Sequence, residues 1–476
     1  MRGPHLEEPR IDQRAAVEGK RAARMKAAAT RNPRWVGRLA PQDDRGSARE
    51  RIRNGHHREQ RHVSHHIAES AQPSANGWAY SSVMIDATPR ALVRAQVALE
   101  SFRLTPDGDA VVYVLRRVAG ETYESHLWTR PFRGGRARPL TRGRVRDGSP
   151  AVSPDGNRLA FVRTPAGGDD AVGQAWILPL DGGEPWRLTN LKHGVSSVHW
   201  SPDGQRLALV AQAGDHRFVV GEERKGRTPV ARRLTRLDFR DDESGHVVRR
   251  AHLWLVNARD GSRPRQLTSG DFDVLHPAWT PDGRRIAFSA DRGPDTTIHP
   301  RLELWSVGTD AASPRVRPLA SLAGDADWPS FSHDGSKLAF IGTDVDDPPD
   351  EVPPVVWVME LPAGRPRPLT AALDRPAGDW AWGDLMMAED APGPVWLDDT
   401  SLGVIIGDHA RNVPYRVSLD GVATPLTDAT ARVACSGIQA AGGHIAVSAA
   451  LDGQAGEVRA IEHGTLRAIS REGSGW

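Results

Sequence analysis

Serine chemistry needs a hydroxyl beside a base and N–H groups placed to receive an oxyanion. The strand-to-helix turn that presents such a serine reads Gly-x-Ser-x-Gly, and that pattern is absent from the 476 residues of this chain. Gly473-Ser474-Gly475 has the wrong spacing, and Gly194-Val195-Ser196-Ser197-Val198 lacks the second glycine and lies in a strand-like run. There is also no His-Gly-Gly segment to supply oxyanion donors. With no catalytic residue to assign, the chain as it stands is expected not to hydrolyse peptides.

Metal chemistry has equally little to work with. The single cysteine, Cys435, has no partner at ligand spacing and reads as a small buried apolar side chain. Asp241-Asp242-Glu243-Ser244-Gly245 offers too few oxygens for a calcium loop. His56, His57, His62, His65 and His66 lie close in sequence but lack a scaffold and carboxylates to orient them. No metal and no cofactor are expected.

Charge divides the chain in two. Residues 1–83 carry 16 Lys and Arg against 9 Asp and Glu, and the remainder carries 46 against 51, so the net charge of +2 conceals a basic segment. That segment has neither strand nor helix periodicity, as in Arg49-Glu50-Arg51-Ile52-Arg53-Asn54-Gly55. It is expected to be a disordered tail, or to precede a true translation start at Met84, where pattern sets in. Its acids are interspersed among its bases, unlike the dense blocks that grip phosphates, so no specific nucleic-acid partner is expected. No run approaches the ~18 apolar residues that span a bilayer, and the N-terminus lacks a secretory apolar core. The expected location is the cytoplasm, with no membrane partner.

The elements that would position any site announce themselves as a repeat. Leu104-Thr105-Pro106-Asp107-Gly108, Ser153-Pro154-Asp155-Gly156, Ser201-Pro202-Asp203-Gly204, Thr280-Pro281-Asp282-Gly283 and Ser332-His333-Asp334-Gly335 each precede an apolar run such as Leu159-Ala160-Phe161-Val162. Proline presets φ, aspartate bonds the backbone beyond it, and glycine accepts the positive φ of a tight hairpin. About twenty residues later comes a second strand with one tryptophan at a fixed place: Trp176, Trp254, Trp305 or Trp357. A fixed place inside an apolar strand predicts packing between repeats rather than an aromatic platform for a ligand. Each unit closes on a short strand ending in Leu-Thr, as at Leu140-Thr141, Leu188-Thr189, Leu267-Thr268 and Leu369-Thr370. Four short antiparallel strands per ~40 to 50 residues mark a β-propeller blade.

The fold class is therefore all-β, a β-propeller over residues 84–476. Between Ser201 and Thr280 the repeat is stretched by a charged insertion near 213–250 with its own Leu234-Thr235, readable as a hairpin or as part of an eighth blade. Two degenerate copies follow residue 371, one around Leu402-Gly403-Val404-Ile405-Ile406 and Pro425-Leu426-Thr427, the other around His444-Ile445-Ala446-Val447-Ser448 and closing near Leu466. This predicts seven blades, or eight if the insertion forms one. A short helix is expected after Thr88-Pro89.

The inserted third repeat, with Leu234-Thr235-Arg236-Leu237-Asp238-Phe239-Arg240, His252-Leu253-Trp254-Leu255-Val256 and His276-Pro277-Ala278-Trp279-Thr280-Pro281-Asp282-Gly283, resembles the propeller of the prolyl oligopeptidase family, in its acylaminoacyl-peptidase branch. The Ser-Pro-Asp-Gly repeat alone fits TolB-type propellers as well. The resemblance implies a propeller that precedes an α/β-hydrolase carrying the Ser-Asp-His triad and admits short or unfolded peptides to it. The sequence ends at Gly475-Trp476, soon after the last blade, so what is expected is the gating half without its hydrolase, with peptides or a separate hydrolase as partners. A stand-alone protein-binding scaffold is the alternative. The resemblance makes Arg236, Asp238, Arg240, Asp241 and Glu243 of the insertion the candidates for substrate or partner contact.

Overall fold

The computed structural model describes residues 88–473 apart from 169–170, 215–218, 221–230, 233–236, 238, 242–244, 248, 263, 295, 297, 311–313, 347–351, 379–392, 429–430 and 452–454. The tail expected over residues 1–83, its histidines and the start at Met84 lie outside these. The first described element is a helix, α1 (Pro89–Ala95), whose cap is Thr88: its hydroxyl accepts the Ala91 N–H at 3.3 Å.

Strands then follow in fours, antiparallel within each blade and wound in chain order, with a single parallel pairing joining the first two blades (Ser125 with Arg146) and the last two (Asn412 with Ala434). Blade 1 is β1 (Val97–Leu104), β2 (Ala110–Ala119), β3 (Thr122–Pro131) and β4 (Arg138–Pro139). Blade 2 is β5 (Val145–Val152), β6 (Arg158–Pro165), β7 (Gln174–Pro179) and β8 (Trp186–Arg187). Blade 3 starts with β9 (Ser197–Trp200) and β10 (Arg206–Gly214). Two small ladders intervene, β11 (Val219–Val220) with β12 (Ala231–Arg232) and β13 (Arg240–Asp241) with β14 (Gly245–His246), before β15 (Arg249–Asn257) and β16 (Arg265–Gln266) complete it. Blade 4 is β17 (Leu275–Trp279), β18 (Arg285–Ala290), β19 (Glu303–Gly308) and β20 (Val316–Ala320). Blade 5 is β21 (Ala326–Phe331), β22 (Lys337–Gly342), β23 (Val355–Glu360) and β24 (Arg367–Pro368). Blade 6 is β25 (Val395–Asp398), β26 (Ser401–Asp408), β27 (Arg411–Ser418) and β28 (Ala423–Pro425), and blade 7 is β29 (Val433–Ala441), β30 (His444–Leu451), β31 (Glu457–Glu462) and β32 (Thr465–Ala468). The described residues thus make a propeller of seven blades. The ladders of the insertion pair only within themselves, so they add no eighth.

The repeated turn earns its residues through one hydrogen-bond pattern. In blade 2, Ser153 Oγ donates to Asp155, whose carboxylate accepts the Asn157 N–H at 3.1 Å, and Ser153 Oγ accepts the Arg158 N–H at 2.9 Å. The same set recurs around Asp107, Asp203, Asp282 and Asp334. The closing Leu-Thr also has a task, because the threonine hydroxyl accepts an N–H of the third strand. Thr141 takes it from Leu127 at 2.9 Å, and Thr189, Thr268 and Thr370 take it from Ala175, Leu253 and Val356 at 3.0 Å. In blade 7 this role falls to Ser470, which accepts from Val458 N at 2.8 Å. The last blade therefore closes on Ile469-Ser470, just past Leu466: residue 466 lies inside β32, and Ile469 N pairs with Val458 O at 2.8 Å.

Apolar clusters fill the blade interfaces all the way round. Val112 and Leu127 meet Leu159 and Phe161 between blades 1 and 2, and Val210 and Leu253 meet Ile286 and Phe288 between blades 3 and 4. Trp176, Trp254, Trp305 and Trp357 all belong to such clusters, which is the packing role that their fixed place predicts. Cys435 is buried between blades 6 and 7. The ring closes where Leu99, Phe102 and Tyr113 of blade 1 pack on Ala446, Val458 and Ala460 of blade 7. All four strands of blade 7 come from one continuous stretch, so no strand is exchanged across this seam among the described residues. No helix among the described residues is long and apolar enough to cross a membrane.

Candidate functional site along the propeller axis

First strands pack on one another around the ring: β1 on β5, β5 on β9, β17 on β21, β21 on β25, β25 on β29 and β29 on β1. Their side chains line the axis, where a propeller has its channel. Three of these strands share a local device. Ser149, His276 and Trp328 each stand immediately before a proline, each takes a positive φ (48°, 47° and 59°), and each marks a bulge in its ladder. Positive φ is costly for residues other than glycine. A bulge re-aims a side chain, and here the device is repeated at the axial wall.

The residues so placed form a polar and aromatic cluster from separate blades. His276 Nδ1 is 2.7 Å from Asp327 Oδ1, and its ring stacks on Trp328 with centroids 3.2 Å apart and planes 18° from parallel. Gly393 makes room for this indole, since a Cβ there would come within 3.0 Å of Trp328 Cβ. His199 Nε2 is 3.1 Å from Ser197 Oγ, and its carbonyl accepts the Trp279 indole N–H at 3.2 Å. Burial pushes the His199 pKa down to about 4, helped by the charges of Arg103 and His276. Arg103, His199 and His276 come from blades 1, 3 and 4, so three blades act on one imidazole.

Two partial acid–base assemblies result. His276 has an orienting carboxylate, but among the described residues no hydroxyl or thiol bonds its other nitrogen. Ser197 and His199 form a hydroxyl–imidazole pair, but no carboxylate of the described residues is bonded to that imidazole, and a base with a pKa near 4 removes protons poorly at neutral pH. The described residues hold no group of three or more His, Cys, Asp or Glu side chains gathered for a metal. What the cluster brings together is an indole stacked on an imidazole–carboxylate pair, with a second imidazole that feels the Arg103 guanidinium.

The candidates of the insertion fall mostly outside the described residues. Arg236, Asp238 and Glu243 lie outside the described residues; Arg240 and Asp241 form β13, with Arg240 exposed and paired in register with His246. The axial residues were missed because no sequence motif joins them. Their one local signal is the residue-proline step inside a first strand.

No family model and no curated protein matches the chain. Solved structures do. The acylaminoacyl peptidase of Pyrococcus horikoshii aligns with a TM-score of 0.58 at 14% identity, over 79% of this chain and 52% of that one. A Mycobacterium tuberculosis puromycin-hydrolyzing peptidase aligns with a TM-score of 0.56 at 17% identity, over 80% and 54%. The β-propeller domain of the Trilobed protease from Pyrococcus furiosus, described as having an open velcro topology, aligns with a TM-score of 0.54 at 13% identity, over 79% of this chain and 95% of that one. The chain spans about half the length of the two whole peptidases and nearly all of the isolated propeller. Its fold is that of the β-propeller of acylaminoacyl and related peptidases.

Proposed function

We propose that this propeller filters peptides for a serine peptidase of the acylaminoacyl-peptidase kind, with the hydrolase supplied as a separate domain or protein. The axial cluster carries the reading. On this reading a single extended chain entering the ring would contact Trp328, the His276–Asp327 pair, Arg103 and His199, and a folded domain would be kept out. Shared architecture with peptidase propellers supports the same reading. The insertion belongs to it as well: Arg236, Asp238, Arg240, Asp241 and Glu243 are proposed to touch substrate or hydrolase, in keeping with the exposure of Arg240.

Calorimetric titration tests this with N- and C-terminally blocked octapeptides and with a folded protein containing the same segment. The purified chain is expected to bind the peptide and not the folded protein, and Trp328→Ala is expected to weaken binding about tenfold, a loss of ~1.4 kcal/mol. Equal binding of both, or a Trp328→Ala variant that binds as the parent does, would favour a scaffold that recognises folded partners.

A further inference from the structure

Blade 2 contains a finished clamp. The Arg163 guanidinium lies 5.0 Å from the Trp176 ring and 5.2 Å from that of Phe161. Its Nε and Nη2 donate to the two oxygens of Asp147 at 2.7 and 2.9 Å, and the Asp147 side chain is fully buried. A guanidinium held against aromatic faces presents its edge as a fork that fits one carboxylate.

Blade 4 repeats part of this assembly with no carboxylate bonded to the guanidinium among the described residues, although the Glu303 charge acts on it. Trp305 stands on β19 where Trp176 stands on β7, each paired across the ladder with a phenylalanine, Phe288 or Phe161. Arg292, just beyond β18, has its guanidinium 4.3 Å from the Trp305 ring and 4.6 Å from that of Phe272. It is half-buried, and burial lowers its pKa from the usual value. Among the described residues it has ring contacts but neither a hydrogen-bond acceptor nor an ion-pair partner. The carboxylates flanking Phe272 are committed to Arg250, Asp271 at 3.0 Å and Asp273 at 2.9 Å, and Glu303 is paired with Arg301 at 3.2 Å. The Trp305 indole N–H is also buried without an acceptor, although Trp254 and Trp357 give theirs to Ala211 O at 3.3 Å and Gly342 O at 3.0 Å. Among the described residues, two neighbouring donors thus lack an acceptor at the end of the propeller where β18 runs into β19.

We propose that Arg292, held between Phe272 and Trp305, binds a carboxylate carried by a ligand, either the C-terminus of a peptide or an acidic side chain. This site is separate from the axial cluster and does not depend on the filtering role. Calorimetry on the full chain tests it with N-acetyl-trialanine, its C-terminal amide, and N-acetyl-Ala-Glu-Ala amide. At least one carboxylate peptide should bind about tenfold more tightly than trialanine amide, and which one does identifies the source. Arg292→Gln should abolish that preference, and Arg292→Lys, which keeps the charge and loses the fork, should reduce it, both with unchanged melting temperatures. Trp328→Ala on the axis should leave the preference intact, which separates failure here from failure of the filter. Equal binding of all three peptides, no binding, or a preference that survives Arg292→Gln would overturn the proposal.

Discussion

In blade 6, Pro414 removes the hydrogen bond that Thr427 is built to accept. Leu426 N pairs with Pro414 O at 2.8 Å, as Leu140 pairs with Leu127 and Leu369 with Val356 in their own blades. Proline has no N–H to give, and Thr427 Oγ1 is left buried without a partner among the described residues. Replacing this hydroxyl by a methyl group should therefore cost nothing or stabilise the fold, whereas Thr370→Val strands the Val356 N–H and should cost about 1–3 kcal/mol. Urea unfolding of the two variants checks this, and equal destabilisation would contradict it.

The five turn aspartates make the fold sensitive to acid. Hydrogen bonds from the neighbouring Ser or Thr hydroxyl, then from the backbone, hold Asp107, Asp155, Asp203, Asp282 and Asp334 below the ordinary value of 3.8. A carboxyl with a lowered folded pKa stabilises above its unfolded value, and that contribution is lost as pH falls through the folded one. Asp203→Asn should lower the melting temperature at pH 7 and lower it less at pH 2.5. A gap that stays constant with pH would contradict this.

The seam between blades 1 and 7 depends on close backbone approach. Gly442 has a φ of 56° and a Cβ there would collide with Asp107 O, whereas Gly443 has a φ of 76° and open space. Alanine at either position bears the conformational cost, but only Gly442→Ala adds overpacking, which costs about 1–3 kcal/mol more. Hydrogen exchange should quicken in β1, β30 and β31 of that variant and not in Gly443→Ala.

These turns were legible in the sequence because their chemistry is local: Ser153, Asp155 and Gly156 satisfy one another within six residues. Blade number was harder, since Leu234-Thr235 copies the closing signal of a blade inside an insertion whose ladders pair only with themselves. The seventh blade closes with Ser470 in place of threonine, so it carries no Leu-Thr signal. The axial cluster was not legible at all. Arg103, His199, His276 and Asp327 belong to four blades and meet only because the ring closes.

His199 offers a direct reading of that closure. With its pKa pushed down to about 4 by burial and by Arg103 and His276, it should stay neutral in NMR titrations down to roughly that pH. Its depressed pKa also means that stability is lost as pH falls from about 6.5 towards 4, because the unfolded chain binds the proton first. Arg103→Met should raise the pKa, and an unchanged value would mean that the two side chains do not share the axis.

The filter itself is tested most directly by photo-crosslinking a benzophenone-bearing octapeptide to the full chain and mapping the adducts by mass spectrometry. Adducts are expected on the first strands, at Arg103, His199, His276 and Trp328, and should vanish when the same peptide is embedded in a folded domain. Adducts confined to the outer strands, or unchanged by the folded carrier, would contradict passage along the axis.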